Sequence, residues 1–243
     1  MTETTEDAVL GGRLRLRQPA TGYRAAIDPF LLAAAVEACP GDRVLDLGCG
    51  VGTAGLALLT RHPGCHVVGL ELVEGHANLA GVNAVLNGLS GRFEPVVGDV
   101  AQSPFRGAVF DQVICNPPFH GAERGRPAAA PTKALATRED LAGLAQWLRS
   151  ALHHLRPRGW ITLIHRADRL DEVLALLRVG SGQLRITPLW PARGKPAKRV
   201  IVSARKGVAG PLTLGAGLVL HEANGHFTSR ADAILRGGGA LEP

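Results

Sequence analysis

The chain has 243 residues, 46% of them hydrophobic, which is enough for one large domain or for one domain with an appendage. No apolar run approaches the ~18–20 residues of a membrane span, and the opening MTETTEDAV is acidic and polar, unlike a signal peptide. A soluble, cytoplasmic protein is expected. The 27 basic against 21 acidic residues leave a net charge of +6, which suits a polyanionic partner, although an Arg-, Ala- and Gly-rich composition yields such a charge unaided.

In chain order, GRLRLRQ (12–18) alternates strictly and predicts a strand with Arg13, Arg15 and Arg17 on one face. Asp28-Pro29 then opens FLLAAAVEA, with Asp28 as N-cap and Pro29 at the first helical position. RVLDLG, HVVGLEL, RFEPVVGD and FDQVICN read as strands, and TAGLALLTRH and GHANLAGVNAVLNGL as helices between the first three. Residues 120–137 are rich in Gly, Pro and Ala, lack periodicity and read as a mobile loop. From Thr137, the spacing of Leu141, Leu144, Trp147, Leu148, Leu152 and Leu155 predicts a helix, ended by Pro157 and Gly159. GWITLIH is a strand and RLDEVLALL a helix; QLRITPLW and KRVIVSARKG close the pattern as two strands around a basic turn.

Strands alternating with helices imply an α/β fold with an open, mostly parallel sheet covered on both faces. The last two strands, with no helix between them, suggest an antiparallel edge pair. The divisions expected are an N-terminal strand and helix (1–39), a main domain (40–207) and a C-terminal appendage (208–243). Cys39, Cys49, Cys65 and Cys115 form no C-x-x-C pair and read as reduced core or near-core thiols. The histidines show no metal-ligand spacing, so no metal is expected.

VLDLGCGVG places Asp46 at the end of a strand, followed by Gly48, Gly50 and Gly52, which let the backbone pass close to a ligand before the next helix. Open parallel sheets bind ligands at the carboxyl ends of their strands. Glu71 ends the second of these strands, where a carboxylate can accept two ribose hydroxyls, and Asp99 ends the third, where an acceptor can read an adenine amino group. The spacing departs from the dinucleotide fingerprint, because Thr53 stands where a third glycine belongs and Asp46 precedes the turn. An acid there repels a pyrophosphate but suits a cationic, amino-bearing ligand such as S-adenosylmethionine.

DQVICNPPFH (111–120) ends a buried strand at Asn116, since Pro117 and Pro118 donate no ladder hydrogen bonds and each restricts the residue before it. Together, VLDLGCGVG, GLEL, GDV and NPPF resemble the class I S-adenosylmethionine-dependent methyltransferases over roughly residues 20–206. The resemblance implies a Rossmann-like, seven-stranded sheet whose last strand is antiparallel. It implies further that Asp46 and the glycines contact the methionine part of the cofactor, Glu71 with Leu72 the ribose, and Asp99 with Val100 the adenine, with Asn116 bordering the cofactor.

NPPF also resembles the [DN]-P-P-[YFW] signature of enzymes that methylate planar, conjugated nitrogens. By that resemblance Asn116, Pro117, Pro118 and Phe119 form the catalytic turn. The side-chain oxygen of Asn116 and the carbonyl of Pro117 accept the amine N–H groups, while Phe119 stacks on the target base. The motif is shared by enzymes acting on adenine N6, guanine N2 and protein glutamine N5. Glutamine enzymes carry a sizeable helical domain before the glycine turn, whereas about forty residues precede it here. GYRAAIDPFLLAAAV and LVLHEANGHFTSRADAILRGGGAL look most like the bacterial tRNA(Val) adenine N6-methyltransferases, which implies a tRNA substrate. Ribosomal RNA guanine-N2 methylation and a non-catalytic binding module stay as alternatives. Candidate phosphate contacts are Arg13, Arg15 and Arg17; Arg124, Arg126 and Lys133; and Arg193, Lys195, Lys198 and Arg199, each equally at home on a solvated surface.

Overall fold

The computed structural model describes residues 3–21, 26–118 and 143–242. Strands β1 (Thr4–Val9) and β2 (Leu14–Pro19) form an antiparallel hairpin. β2 follows its alternation: Leu14 and Leu16 are fully buried, and Arg15 and Arg17 face outward. β1 was not foreseen, because TTEDAV is largely exposed and pairs through its backbone, leaving no apolar period to read. Helix α1 (Asp28–Ala34) begins as expected, but Asp28 lies inside its first turn after Ile27. The Asp28 side chain caps nothing; it accepts from Arg199 Nε at 3.1 Å.

The main sheet then builds through β3 (Arg43–Leu47), α2 (Thr53–Arg61), β4 (His66–Glu71), α3 (Glu74–Leu86), β5 (Phe93–Val97) and β6 (Phe110–Cys115). It continues with α4 (Gly143–His154), β7 (Leu155–Arg166), α5 (Leu170–Arg178), β8 (Ser181–Ala192) and β9 (Arg199–Lys206). The expected start of α4 at Thr137 lies outside the described residues. The strand order is β5–β4–β3–β6–β7–β9–β8, and every pairing is parallel except those of β9. Successive side chains leave a strand on opposite faces, so each strand feeds two cores. Val44, Val67 and Ile114 pack with α1, α2 and α3, whereas Leu45, Val68 and Val113 pack with α4 and α5.

The last two strands form the expected antiparallel pair at the outer side, but β9, antiparallel to both neighbours, lies inside β8 and not at the edge. The α5 crossover sets β8 parallel to β7 but one strand-width away, and β9 returns into the gap. Val202 therefore pairs with Leu163 on one side and Ile186 on the other. Two short strands, β10 (Thr213–Leu214) and β11 (Leu218–His221), extend the outer edge of β8 and bring the sheet to nine strands. The C-terminal segment is thus part of the sheet. Its helix α6 (Ser229–Leu235) packs on α1, and Arg61 at the end of α2 donates to the carbonyls of Ile234 and Gly239 at 2.8 and 2.7 Å.

Cys49, Cys65 and Cys115 are buried, while Cys39 is exposed; all four are free thiols. Among the described residues no helix is long and apolar enough to cross a membrane.

Thr228 fixes the start of α6: its hydroxyl donates to Val219 O at 2.7 Å and accepts from Ala231 N at 3.1 Å. Thr228→Ala is expected to lower stability by about 1–2 kcal/mol, seen as a lower urea midpoint with an unchanged slope, while Thr228→Ser keeps most of it.

Candidate functional site

Four neighbouring strands end in a row. Leu47 of β3 is in register with Cys115 of β6 and Leu70 of β4, and Glu71 is in register with Val97 of β5. The next residues, Asn116, Gly48 and Glu71, therefore stand side by side at the carboxyl edge, with Asp99 just past β5. Three inter-strand steps separate the outer members, about 14 Å at the usual spacing. That is room for an extended ligand, such as a nucleoside joined to an amino acid.

The middle of the row is a backbone cradle. Gly48 and Cys49 donate to Leu70 O at 2.8 and 3.0 Å, which folds the glycine turn over the end of β4. Glu71 is 3% exposed, and its two carboxylate oxygens accept from Gly50 N at 2.8 Å and Val73 N at 2.9 Å. Asp46 is buried and accepts from Gly55 N at 2.9 Å in the first turn of α2. Burial in this apolar layer raises its pKa to about 7, partly offset by the Gly55 bond, with the nearby Glu71 charge adding a smaller push upward. Burial also raises the Cys49 and Cys115 pKa values well above the usual thiol range, so neither is poised as a nucleophile. Asp99 accepts from Ala101 N at 2.8 Å and starts a short turn with the buried Val100; Leu72 is half-buried beside Glu71. Gly48 must be glycine. Its φ is +68°, and a Cβ there would lie 2.3 Å from Cη2 of Trp147 on α4.

At the end of the row, the Asn116 side-chain oxygen is buried and has no hydrogen-bond partner among the described residues. Pro117 beside it is buried and Pro118 half-buried. Phe119, Arg124, Arg126, Lys133 and the expected loop 120–137 lie outside the described residues.

The sequence matches the family described as methyltransferase small domain over residues 29–169, more than half of the chain. The chain belongs to this family. It is an S-adenosylmethionine-dependent methyltransferase. It is similar to the tRNA1(Val) (adenine(37)-N6)-methyltransferase of Porphyromonas gingivalis, with 28% identity over 89% of this chain and 88% of that one. The Shewanella baltica protein of the same name is also 28% identical, over 88% of this chain and 91% of its own length. Among solved structures, an Agrobacterium tumefaciens protein described as a predicted O-methyltransferase is similar at 29% identity and a TM-score of 0.74, covering 89% of this chain and 99% of its own.

The row of strand ends in this methyltransferase fits the methyl donor. The backbone-held Glu71 carboxylate, the turn at Gly50 with open space beside its Cα, and the orphaned Asn116 acceptor lie along one line. Among the described residues no group of three His, Cys, Asp or Glu is able to hold a metal.

The basic residues divide. Arg15 and Arg17 pair with Glu6 of β1, the latter at 3.1 Å, and together these guanidinium bonds hold the Glu6 carboxyl below its ordinary range. Arg13 donates to the carbonyls of Leu10 and Arg236 at 3.1 and 3.3 Å. Arg199 is tied to Asp28 and to the carbonyl of Lys198. Arg193 and Lys195 stay exposed in the β8–β9 turn.

Sequence reasoning missed Asn83 on α3 and Asn87, one turn on, at its C-terminal cap. Asn83, fully buried, accepts from Arg17 N at 2.7 Å and donates to Arg17 O at 3.0 Å and to Val51 O at 2.9 Å in the glycine turn. Asn87 holds Arg15 N and O at 2.8 and 2.7 Å. Their spacing in VNAVLNG places both on one helix face, a signal present in the sequence but without an obvious ligand. The two amides clasp the free edge of β2 as a neighbouring strand would, and Asn83 alone extends the clasp to the glycine turn. Asn83→Ala is expected to cost at least ~2 kcal/mol, because it strands buried backbone groups, and to weaken S-adenosylmethionine binding. Asn87→Ala loses the hairpin bonds and one to Asn83 O at 2.7 Å but none to the glycine turn, so calorimetry is expected to show smaller destabilisation and unchanged cofactor affinity.

Proposed function

We propose that this methyltransferase acts on a planar, conjugated nitrogen of RNA, with adenine N6 of tRNA as the acceptor. The observation that carries this reading is the Asn116 oxygen, a buried acceptor with no donor among the described residues at the end of the row. A buried polar atom left unpaired costs free energy, so its retention points to a ligand that supplies an N–H. A hydroxyl acceptor would need only one such contact, whereas an exocyclic amine has two N–H groups, matching the Asn116 side chain and the Pro117 carbonyl next to it. The tRNA class is supported by relatives that match nearly the whole chain, not the cofactor domain alone. The net charge of +6 agrees with it.

The chemistry asked of these residues is positional. S-adenosylmethionine, when bound, supplies an electrophilic methyl group on a sulfonium. An amine conjugated to a ring is a weak nucleophile, because its lone pair is delocalised. Two fixed acceptors on its N–H groups let the nitrogen pyramidalise and turn that pair toward the methyl group. Pro117 and Pro118 stiffen the chain there, so the acceptors need no reorganisation as charge develops. Phe119, next in the chain, is assigned to stacking on the extruded base. Asp46, Gly48, Gly50 and Gly52 are assigned to the methionine part of the cofactor, Glu71 and Leu72 to its ribose, and Asp99 and Val100 to its adenine. After transfer the proton on nitrogen is acidic enough to leave to water.

Two experiments test the reading. Removing a preorganised acceptor worth ~2.7–4 kcal/mol in the transition state lowers turnover ~100–1,000-fold. Asn116→Ala is expected to do so while RNA affinity and cofactor affinity hold, in methyl transfer to tRNA from cells lacking the enzyme. Full activity in this variant would refute the mechanism. N6-methyladenine in the digested product supports the substrate assignment, and N2-methylguanine or label confined to ribosomal RNA overturns it.

The second concerns pH. A carboxyl with pKa about 7 in the folded chain, against an ordinary 3.8, binds a proton that the unfolded chain has released. Its contribution to stability is therefore full below about pH 4 and is lost as pH rises through 7. A cationic ligand favours the ionised form, so cofactor affinity is expected to rise from pH 6 to 8, by at most tenfold per unit, and to level off above 7. Asp46→Asn keeps an acceptor for Gly55 and is expected to bind more weakly with a flat profile, measured by calorimetry across pH.

A further inference from the structure

The catalytic row occupies one half of the carboxyl edge of the sheet. β8 is parallel to β7, so its end at Ala192, and the turn that leads into β9, lie on that same edge. From β6 this is three strands further along, about 14 Å on the side away from the cofactor row. There the surface forms an open depression of about 560 Å³ lined by Trp190, Arg193, Lys195 and Val219 of β11, among others. Its lining has two cations and no carboxylate.

The aromatic wall is held in place. Trp190 Nε1 donates to Ala216 O at 3.3 Å. Gly217, at φ +79°, has no side chain to collide with it; a Cβ there would lie 2.7 Å from Nε1 and 2.3 Å from Pro188 O. His221 sits 3.1 Å through Nδ1 from the carbonyl of Pro191 and stacks on Phe227, with ring centroids 4.9 Å apart. Residues 216–227 thus pin the end of β8 with two side-chain contacts beyond the strand pairing. The half-buried indole shares the depression with two exposed cations. An indole with Arg and Lys in one depression matches what a nucleotide offers, a π-face joined to a phosphate. The open shape suits one segment of a larger polyanion better than a small enclosed ligand.

We infer that this depression is a second RNA subsite, in which Trp190 stacks a base outside the reactive position and Arg193 and Lys195 hold the adjoining phosphates. The inference rests on the reading of the enzyme as an RNA methyltransferase and adds where the rest of the RNA is gripped. It also gives the C-terminal segment a function, which is to build that grip. Arg199, the first residue of β9, takes no part, because its guanidinium is bound to Asp28.

The test compares wild type with Trp190→Ala, Trp190→Phe and the Arg193→Ala/Lys195→Ala pair, in methyl transfer to unmodified tRNA and in gel-shift binding of the same tRNA over a salt series. Trp190→Ala is expected to raise KM for tRNA roughly 5- to 150-fold, the range for losing one stacked base, with kcat and S-adenosylmethionine affinity unchanged. Trp190→Phe keeps a stacking face and is expected to recover most of the loss. The cation pair is exposed, so its replacement leaves folding intact. It is expected to reduce the slope of log affinity against log salt by about 1.4, two contacts at the single-strand value. Wild-type transfer to RNA with unchanged KM and slope in all variants overturns the subsite and leaves the function standing. Absence of transfer to any RNA overturns the function, and the binding arm still decides the subsite. Weaker, flatter tRNA binding in the variants upholds it, and unaltered binding, or competition by an acidic peptide alone, removes it.

Discussion

Glu71 is a buried carboxylate at the end of a central strand, and both of its oxygens are taken up by backbone amides, Gly50 N on one side and Val73 N on the other. Those two bonds join the glycine turn to β4 and to the start of α3. A charge in that position is tolerable only because it is so paired, and the pairing fixes where the turn must lie. The carbonyl of Leu70, which accepts from Gly48 and Cys49, holds the same turn from the preceding residue. Everything that follows depends on this anchor: Gly48 can lie against Trp147, Asp46 can cap the first turn of α2, and the open flank of the turn faces the space a ligand needs.

From that anchor the site extends in both directions along one edge. Toward β5 it meets Asp99 and Val100, and toward β6 it meets Asn116 and the two prolines. The polar groups on the β5 side are satisfied within the protein, whereas Asn116 keeps a buried oxygen in reserve. Satisfied groups hold a shape; an unsatisfied one waits for a donor. The division suits a site with a rigid frame at one end and, among the described residues, an unpaired side-chain acceptor at the other.

The N- and C-terminal segments support the two halves of that edge. The β1–β2 hairpin is clasped by Asn83 and Asn87, and through Asn83 it reaches the carbonyl of Val51 in the glycine turn. The C-terminal strands extend β8 and hold Trp190 and the β8–β9 turn. Neither segment forms a body of its own. Each is a brace, one behind the glycine turn and one beside the basic turn.

The sequence by itself determined the alternating strands and helices of the main domain, because the apolar period within each element is local and strong. It also singled out the acids and glycines at the ends of those strands, which the fold gathers along one edge of the sheet. It could not reveal β1, β10 and β11, which are short or polar and exist only because a neighbouring strand offers backbone partners. Nor could it distinguish among like charges. Arg15, Arg17 and Arg199 read the same as Arg193 and Lys195 along the chain, and only folding brings Glu6 and Asp28 to the first three. The interior position of β9 was decided in the same way, because local patterning says that a strand forms but not which gap in the sheet will receive it. What a residue is next to in the chain fixed its secondary structure; what it meets across the fold decided whether its polar atoms were spent on the protein or left for a ligand.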